Sequence, residues 1–464
     1  MKAALLAAAC AAVIAALLFA RPHPTPGPPM RDFEAYYGAG TVWNGGGDPY
    51  SQQIWKAEQR LAGVRAAQYE ALPFAGPPAT LPLFSLIAHL PFAAANVLWR
   101  ALLIAALAGV AILALRLAQR PLTPVSFCAI AVAALGFGPL TSALALGQIA
   151  LPAYAFAALA LQWRPAALLA WMQPNVALSL LSFLGQRRER FALIASAVVF
   201  AAACVAVFGL DGIVHYASAL HAHSLAERFS AIQFTPTSIA YGLGAPPALA
   251  LTAGAAVGVG AIAWWAMLMR TLYATVERFC ATCALLPLAV PFFHEHDLLV
   301  LFVPAAVYAA RCNGTYWTLL AFGACFAATD WLGLAQRPDG TLQTLLLIGA
   351  FGTALIVLAK RPDPRMLAVP AAMLALIGAA AVFAHTHPAP VWPDAMHALA
   401  PGASTTDIAN AWEAEQRATG LFAQEAVWAA LRALSLFGCA LTALAITVSS
   451  RYPARSKSPL QAPA

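Results

Sequence analysis

The sequence predicts an all-α, polytopic integral membrane protein with about 12 transmembrane helices plus re-entrant or interfacial helices. Three observations predict it. Of 464 residues, 61% are hydrophobic and 10% charged, with a mean hydropathy of +0.73, far from the mix of a soluble domain. The apolar residues collect into long runs separated by short polar connections. The basic residues fall on alternate connections, as the positive-inside rule requires of a chain threaded through a membrane.

The runs lie at 3–20, 96–116, 125–142, 148–162, 191–209, 246–270, 279–292, 297–311, 315–333, 341–359, 366–384 and 426–448. Several are shorter than the ~20 residues of a full crossing, which predicts tilted or broken helices there. Segments 80–93 and 165–186 are interrupted by Pro82, Pro91 and Gln173-Pro174, and read as re-entrant or half-crossing pieces. Residues 3–20 are too long for a signal-peptide core, and the Pro-rich run Arg21–Pro29 is a poor cleavage context, so they read as a retained first span. Residues 1–450 are expected to form one transmembrane domain, and 451–464 read as a disordered cytoplasmic tail.

With Lys2 inside, twelve crossings put Arg116, Arg120, Arg164, Arg187, Arg188, Arg190, Arg270, Arg278, Arg311, Lys360, Arg361 and Arg365 on the cytoplasmic face. Of the 19 acidic residues, only Glu189, Glu277 and Asp363 then fall inside. The net charge of +7 is mostly this topological signal. No basic cluster with interleaved aromatics accompanies it, so nucleic acid is not an expected partner. The eight cysteines are scattered through apolar runs and read as small buried hydrophobes, Cys280 and Cys283 included. There is no P-loop, dinucleotide fingerprint or fixed-period repeat, which argues against an ATP-driven pump or a soluble-type nucleotide-sugar transferase.

Three outer loops are long: 21–80, 210–245 and 385–425. The first opens on Arg31-Asp32-Phe33-Glu34-Ala35-Tyr36-Tyr37 and is predicted to carry a surface helix from Tyr50 to about Glu70. Asp32 beside apolar walls can act as a general base, and one base suffices when an acceptor hydroxyl displaces a leaving group from a sugar. Asp32 and Glu34 share a face on an extended strand and not on a helix. The second loop carries Asp211, His215, His221, His223, Glu227 and Arg228. The third holds His385, His387, His397 and a polar helical stretch from Thr406. Between the spans 279–292 and 297–311 lies His294-Glu295-His296-Asp297, a dense set that suits either a metal or a phosphate, with Asp297 as helix cap the plainer alternative. Outward cations for an anionic donor are Arg31, Lys56, Arg60 and Arg228; a lone interfacial arginine otherwise serves as an anchor.

In order, these motifs resemble glycosyltransferase family 87, polyprenyl-phosphate-mannose-dependent enzymes of the GT-C fold class. The resemblance rests on Asp32-Phe33-x-x-Tyr36-Tyr37-x-Ala39-Gly40, Asp48-Pro49-Tyr50, Gly76-Pro77-Pro78, Pro91-Phe92, Trp99, Gly147-Gln148, Gln173-Pro174 and the His294–Asp297 loop. It implies a polyprenyl-phosphate hexose donor, mannose by family habit, and a lipid or glycan acceptor. The site would face outward from the cytoplasmic (inner) membrane. Asp32 would be the base, with His294 or His296 at the donor phosphate. Glu34, Tyr36, Tyr37, Tyr50, Arg228 and Asp297 are the expected substrate-binding residues. No cofactor and no resident metal are assigned, though a divalent metal stays open. Gln173 departs from the family, where many members carry lysine. The competing readings are a lipid or polyol transporter and a non-catalytic envelope scaffold.

Overall fold

Helices dominate because Ala- and Leu-rich apolar runs bury no polar side chain, and because the backbone of a lipid-embedded segment must bond within itself. The computed structural model describes residues 1–18, 30–58, 60–61, 72–389, 408–423 and 425–451. His397, Thr406, Asp407, the Pro-rich run before Met30, the 62–71 part of the expected surface helix and the tail beyond Arg451 lie outside them.

Each of the twelve apolar segments is helical where described, but among the described residues six helices are long and apolar enough to cross a membrane: Phe92–Leu117, Arg187–Glu227, Pro247–Thr271, Pro338–Leu358, Pro364–Thr386 and Ala426–Ser450. The others are shorter or broken. The run at 125–142 splits into Pro124–Gly136 and Gly138–Leu146, bent by 67°. The first half starts on a Thr123–Ser126 capping box with Pro124 at its first position. At the break, Gly136 lies against the Leu347 carbonyl and Gly138 against the Ala328 carbonyl; a Cβ would come within 2.6 and 2.4 Å of these oxygens. Segment 165–186 is likewise a chain of short pieces, Ala167–Ala170, Pro174–Ala177 and the 3-10 turn Leu178–Gly185.

One boundary differs from expectation. The fifth run does not end in an irregular loop at 210; the helix continues to Glu227 across a kink at Gly209 (φ 74°, ψ 172°). Glycine takes that backbone conformation without a Cβ penalty. The second outer loop is therefore largely helical. Of the surface helix expected over 50–70, Gln53–Glu58 is formed within the described residues.

Small residues let helices close on one another. Gly323 and Gly438 meet where Gly314–Ala328 crosses Ala426–Arg451, and an added Cβ would lie 2.7 and 2.4 Å from the opposing carbonyl oxygens. Helix Lys2–Leu18 packs against Thr341–Leu358 and Pro124–Gly136. The basic termini gather at one end of the bundle. Lys2 Nζ donates to the Ala359 carbonyl (2.8 Å), Arg311 to that of Leu117 (3.4 Å), and Arg311 pairs with Glu277 (3.6 Å).

Candidate active site

The site is built first from helix Arg31–Asn44. Its N-terminus is pinned by Met30 N–H, which donates to the Ala145 carbonyl (3.0 Å), and by Phe33, stacked on Trp99 at 5.4 Å. Trp99 Nε1 in turn donates to the Gly147 carbonyl (2.8 Å), at a turn where Gly147 has φ 82°. That turn delivers Gln148 to the helix. Tyr36 donates to Gln148 Oε1 (2.9 Å), and Gln148 Nε2 donates to Asp32 Oδ2. The two bonds fix which way the amide points, and they leave Asp32 Oδ1 to face Arg31 Nε at 3.8 Å. Burial, reinforced by the charge of Asp32, raises the Tyr36 pKa and keeps its hydroxyl a donor.

The second wall is the loop before the 3-10 turn Glu295–Leu301. Phe293 N–H donates to Gln233 Oε1 (2.9 Å), Phe234 N–H to the Phe293 carbonyl (2.7 Å), and Asn175 Nδ2 to the Phe292 carbonyl (3.1 Å). His294 N–H donates to Asp297 Oδ2 (3.1 Å), so Asp297 does cap the turn. The rings of His294 and His296 stack at 5.2 Å. Buried Glu227, 1% exposed, gathers the rest: His294 Nε2 lies 2.8 Å from Oε2, His223 Nε2 lies 3.3 Å from Oε1, and Gln233 and Trp412 donate to it.

These walls enclose one cavity of about 700 Å³, lined among others by Asp32, Tyr36, Gln148, Glu227, His294 and His296. Burial disfavours a charged His294, yet the Glu227 carboxylate, its hydrogen bond, Asp297 and Asp32 outweigh this and raise its pKa. For His296 burial wins over Asp297, and the pKa falls. A third wall holds Glu295, Asp330 and Arg337. Asp330 caps helix Trp331–Gln336 by accepting from Gly333 N–H (2.6 Å). Burial first, then the charge of Asp330, pushes Glu295 up to about 8.

Not every expected residue comes here. Helix geometry turns Glu34 to the face opposite Asp32, buried and away from the cavity. Tyr37 spends its hydroxyl on the Leu90 carbonyl (2.8 Å). Tyr50 donates to the Gly76 carbonyl (2.8 Å) and lines a separate 20 Å³ pocket with Tyr216 and His223. Asp297 lies beneath the histidines, and Arg228 sits 6.0 Å over Phe229; neither lines the cavity. Of the outward cations, Arg31 lines it and Lys56, Arg60 and Arg228 do not. Sequence reasoning missed Glu227 and His223 as a unit, although their i, i+4 spacing is visible once the stretch is read as helix. It also missed Gln233, Trp412 and the meeting of Glu295, which the dense loop displays, with Asp330 and Arg337, which carry no local pattern.

The model of glycosyltransferase family 87 matches residues 74–291. That stretch supplies Gln148, Asn175, Glu227 and Gln233; Asp32 precedes it and His294 follows it. No curated protein and no solved structure matches the chain.

Proposed function

We propose that the chain, which the model of glycosyltransferase family 87 matches over residues 74–291 and which has several helices long and apolar enough to cross a membrane, is a multi-pass membrane glycosyltransferase that moves a hexose, mannose by family resemblance, from a polyprenyl-phosphate donor to a lipid or glycan acceptor. The observation that carries this reading is the shared cavity: Asp32 on one wall, His294 and His296 on another, brought together from either side of the matched segment, which includes none of the three.

In this reading the acceptor hydroxyl oxygen attacks the anomeric carbon, Asp32 takes its proton, and the carbon–oxygen bond to the lipid phosphate breaks with inversion. The phosphate leaves as polyprenyl phosphate, its charge met by the His294–His296 wall. Gln148 holds one Asp32 oxygen and leaves the other for the acceptor. The gathering of Lys2, Arg311 and their neighbours at one end of the bundle supports a cytoplasmic end there and an outward-facing cavity.

The test is sugar transfer by purified protein in nanodiscs, from radiolabelled polyprenyl-phosphate-mannose to a membrane lipid extract, with wild type beside Asp32→Asn. Label reaching a new product with wild type alone supports the transferase and its base. A folded wild type that transfers no polyprenyl-linked sugar overturns the reading.

A further inference from the structure

The cavity that would take a lipid phosphate has more carboxylates than guanidinium groups on its walls. Asp32 and Glu227 line it, Asp297 lies just beneath, and Arg31 and Arg337 are the two guanidinium groups on its walls among the described residues. Arg31 already faces Asp32. A site assembled to hold a phosphate therefore carries a surplus of negative charge where the phosphate should go.

We propose that His294, His296 and Asp297 form a binding site for one divalent transition-metal ion, open to the cavity. Their ligand atoms all lie within 4.8 Å of one another. Asp297 is 0% exposed, and its Oδ1 has no hydrogen-bond partner although it is buried. That oxygen points at His296, whose Nε2 is 3.9 Å away, while Oδ2 lies 3.9 Å from His294 Nδ1. An orphaned buried carboxylate oxygen is costly unless something positive takes it. Ligands at about 2.0–2.1 Å around a tetrahedral ion stand about 3.3 Å apart, so modest side-chain rotations would close the set.

Glu227 completes the argument. A metal-bound histidine ordinarily gives its other ring N–H to a carboxylate, and His294 offers Nε2 to Glu227 at 2.8 Å, which leaves Nδ1 on the Asp297 side. Two imidazoles and one carboxylate suit zinc, manganese or ferrous iron better than magnesium or calcium. Both histidines line the cavity and Asp297 does not, so the open coordination positions face the space where the phosphate would sit. An ion there would bind a phosphate oxygen as a Lewis acid. The part played by the phosphate rests on the transferase reading; the ion site itself does not.

The experiment is calorimetric titration of the purified, chelator-treated full chain with Zn²⁺ and with Mn²⁺, the latter also followed by electron paramagnetic resonance. One equivalent should bind to wild type. His296→Ala and Asp297→Asn should weaken binding at least about 100-fold, Glu227→Gln by about 10–100-fold, and His221→Ala, an exposed histidine outside the set, should leave it unchanged. Because Asp297 is buried, His296→Ala serves as the second variant, and gel filtration verifies its fold. No saturable binding, or binding equal in wild type and His296→Ala, overturns the site. Sugar transfer that survives complete chelation overturns the ion's part at the phosphate and leaves the transferase standing; metal bound without any transfer keeps the ion site and overturns the transferase reading.

Discussion

Gln148 donates its side-chain N–H to the carboxylate of Asp32, 116 residues earlier in the chain, while accepting from Tyr36 at 2.9 Å. The amide thus has no freedom to flip, and the carboxylate has one oxygen committed. Replacing Gln148 with leucine keeps the volume but releases Asp32 and strands the Tyr36 hydroxyl. We expect kcat to fall by about 10²-fold, the scale of a misplaced catalytic group, with little change in KM for the donor. Asp32→Asn should cost about 10²–10⁴-fold. Steady-state transfer assays on both variants check this, and equal kcat in wild type and Gln148→Leu would remove the positioning role.

Glu34 separates helix geometry from sequence proximity. It lies two residues from Asp32 but about 200° around helix Arg31–Asn44, and it does not line the cavity. Glu34→Gln should retain transfer within a few-fold of wild type, while Asp32→Asn loses about 10²–10⁴-fold. A loss of turnover in Glu34→Gln comparable to that in Asp32→Asn, in protein that elutes as wild type does, would mean that the helix is not formed as described.

How much of this was legible beforehand depended on the range of the interaction. Asp32 and the His294–Asp297 loop stood out because charged groups between apolar runs are locally anomalous. Their meeting did not, since the Asp32–Gln148 bond spans 116 residues and has no local pattern. Glu227 is visible as an acidic residue, but the sequence reads as loop there, because the apolar run stops near Gly209 while a helix resumes beyond the kink at that glycine. The twelve apolar runs predicted helices correctly where they are described. Their lengths depended on breaks such as Gly136-Phe137-Gly138-Pro139, where close approach to Leu347 and Ala328 decides the geometry.

Gly40 is where that kind of close approach supports the site. A Cβ added there would lie 2.2 Å from the Phe84 carbonyl oxygen, a backbone atom that cannot rotate away. Gly40→Ala should therefore push helix Arg31–Asn44 from Leu81–Ile87, at a cost of about 1–3 kcal/mol, and disturb Asp32 with it. Gly109, in helix Phe92–Leu117, has nothing within 4 Å of its added Cβ, and alanine there gains about 1 kcal/mol of helix propensity. Thermal unfolding in detergent should show a lower Tm for Gly40→Ala and an equal or higher one for Gly109→Ala. The opposite order would refute the packing argument.

Glu227 is the group on which the His294 wall depends, because His294, His223, Gln233 and Trp412 all converge on one buried carboxylate. Truncation to alanine strands each of them at once. Breaking a buried charged pair from one side costs about 3–5 kcal/mol, so Glu227→Ala should unfold at markedly lower temperature or fail to accumulate. Glu227→Gln is nearly isosteric and keeps an acceptor for the Trp412 indole, but it removes the charge that favours His294 as an imidazolium or as an oriented ligand. It should fold and lose turnover. Transfer and thermal unfolding measured together on the two variants resolve the roles: a Glu227→Gln protein with wild-type kcat would show that Glu227 serves packing alone.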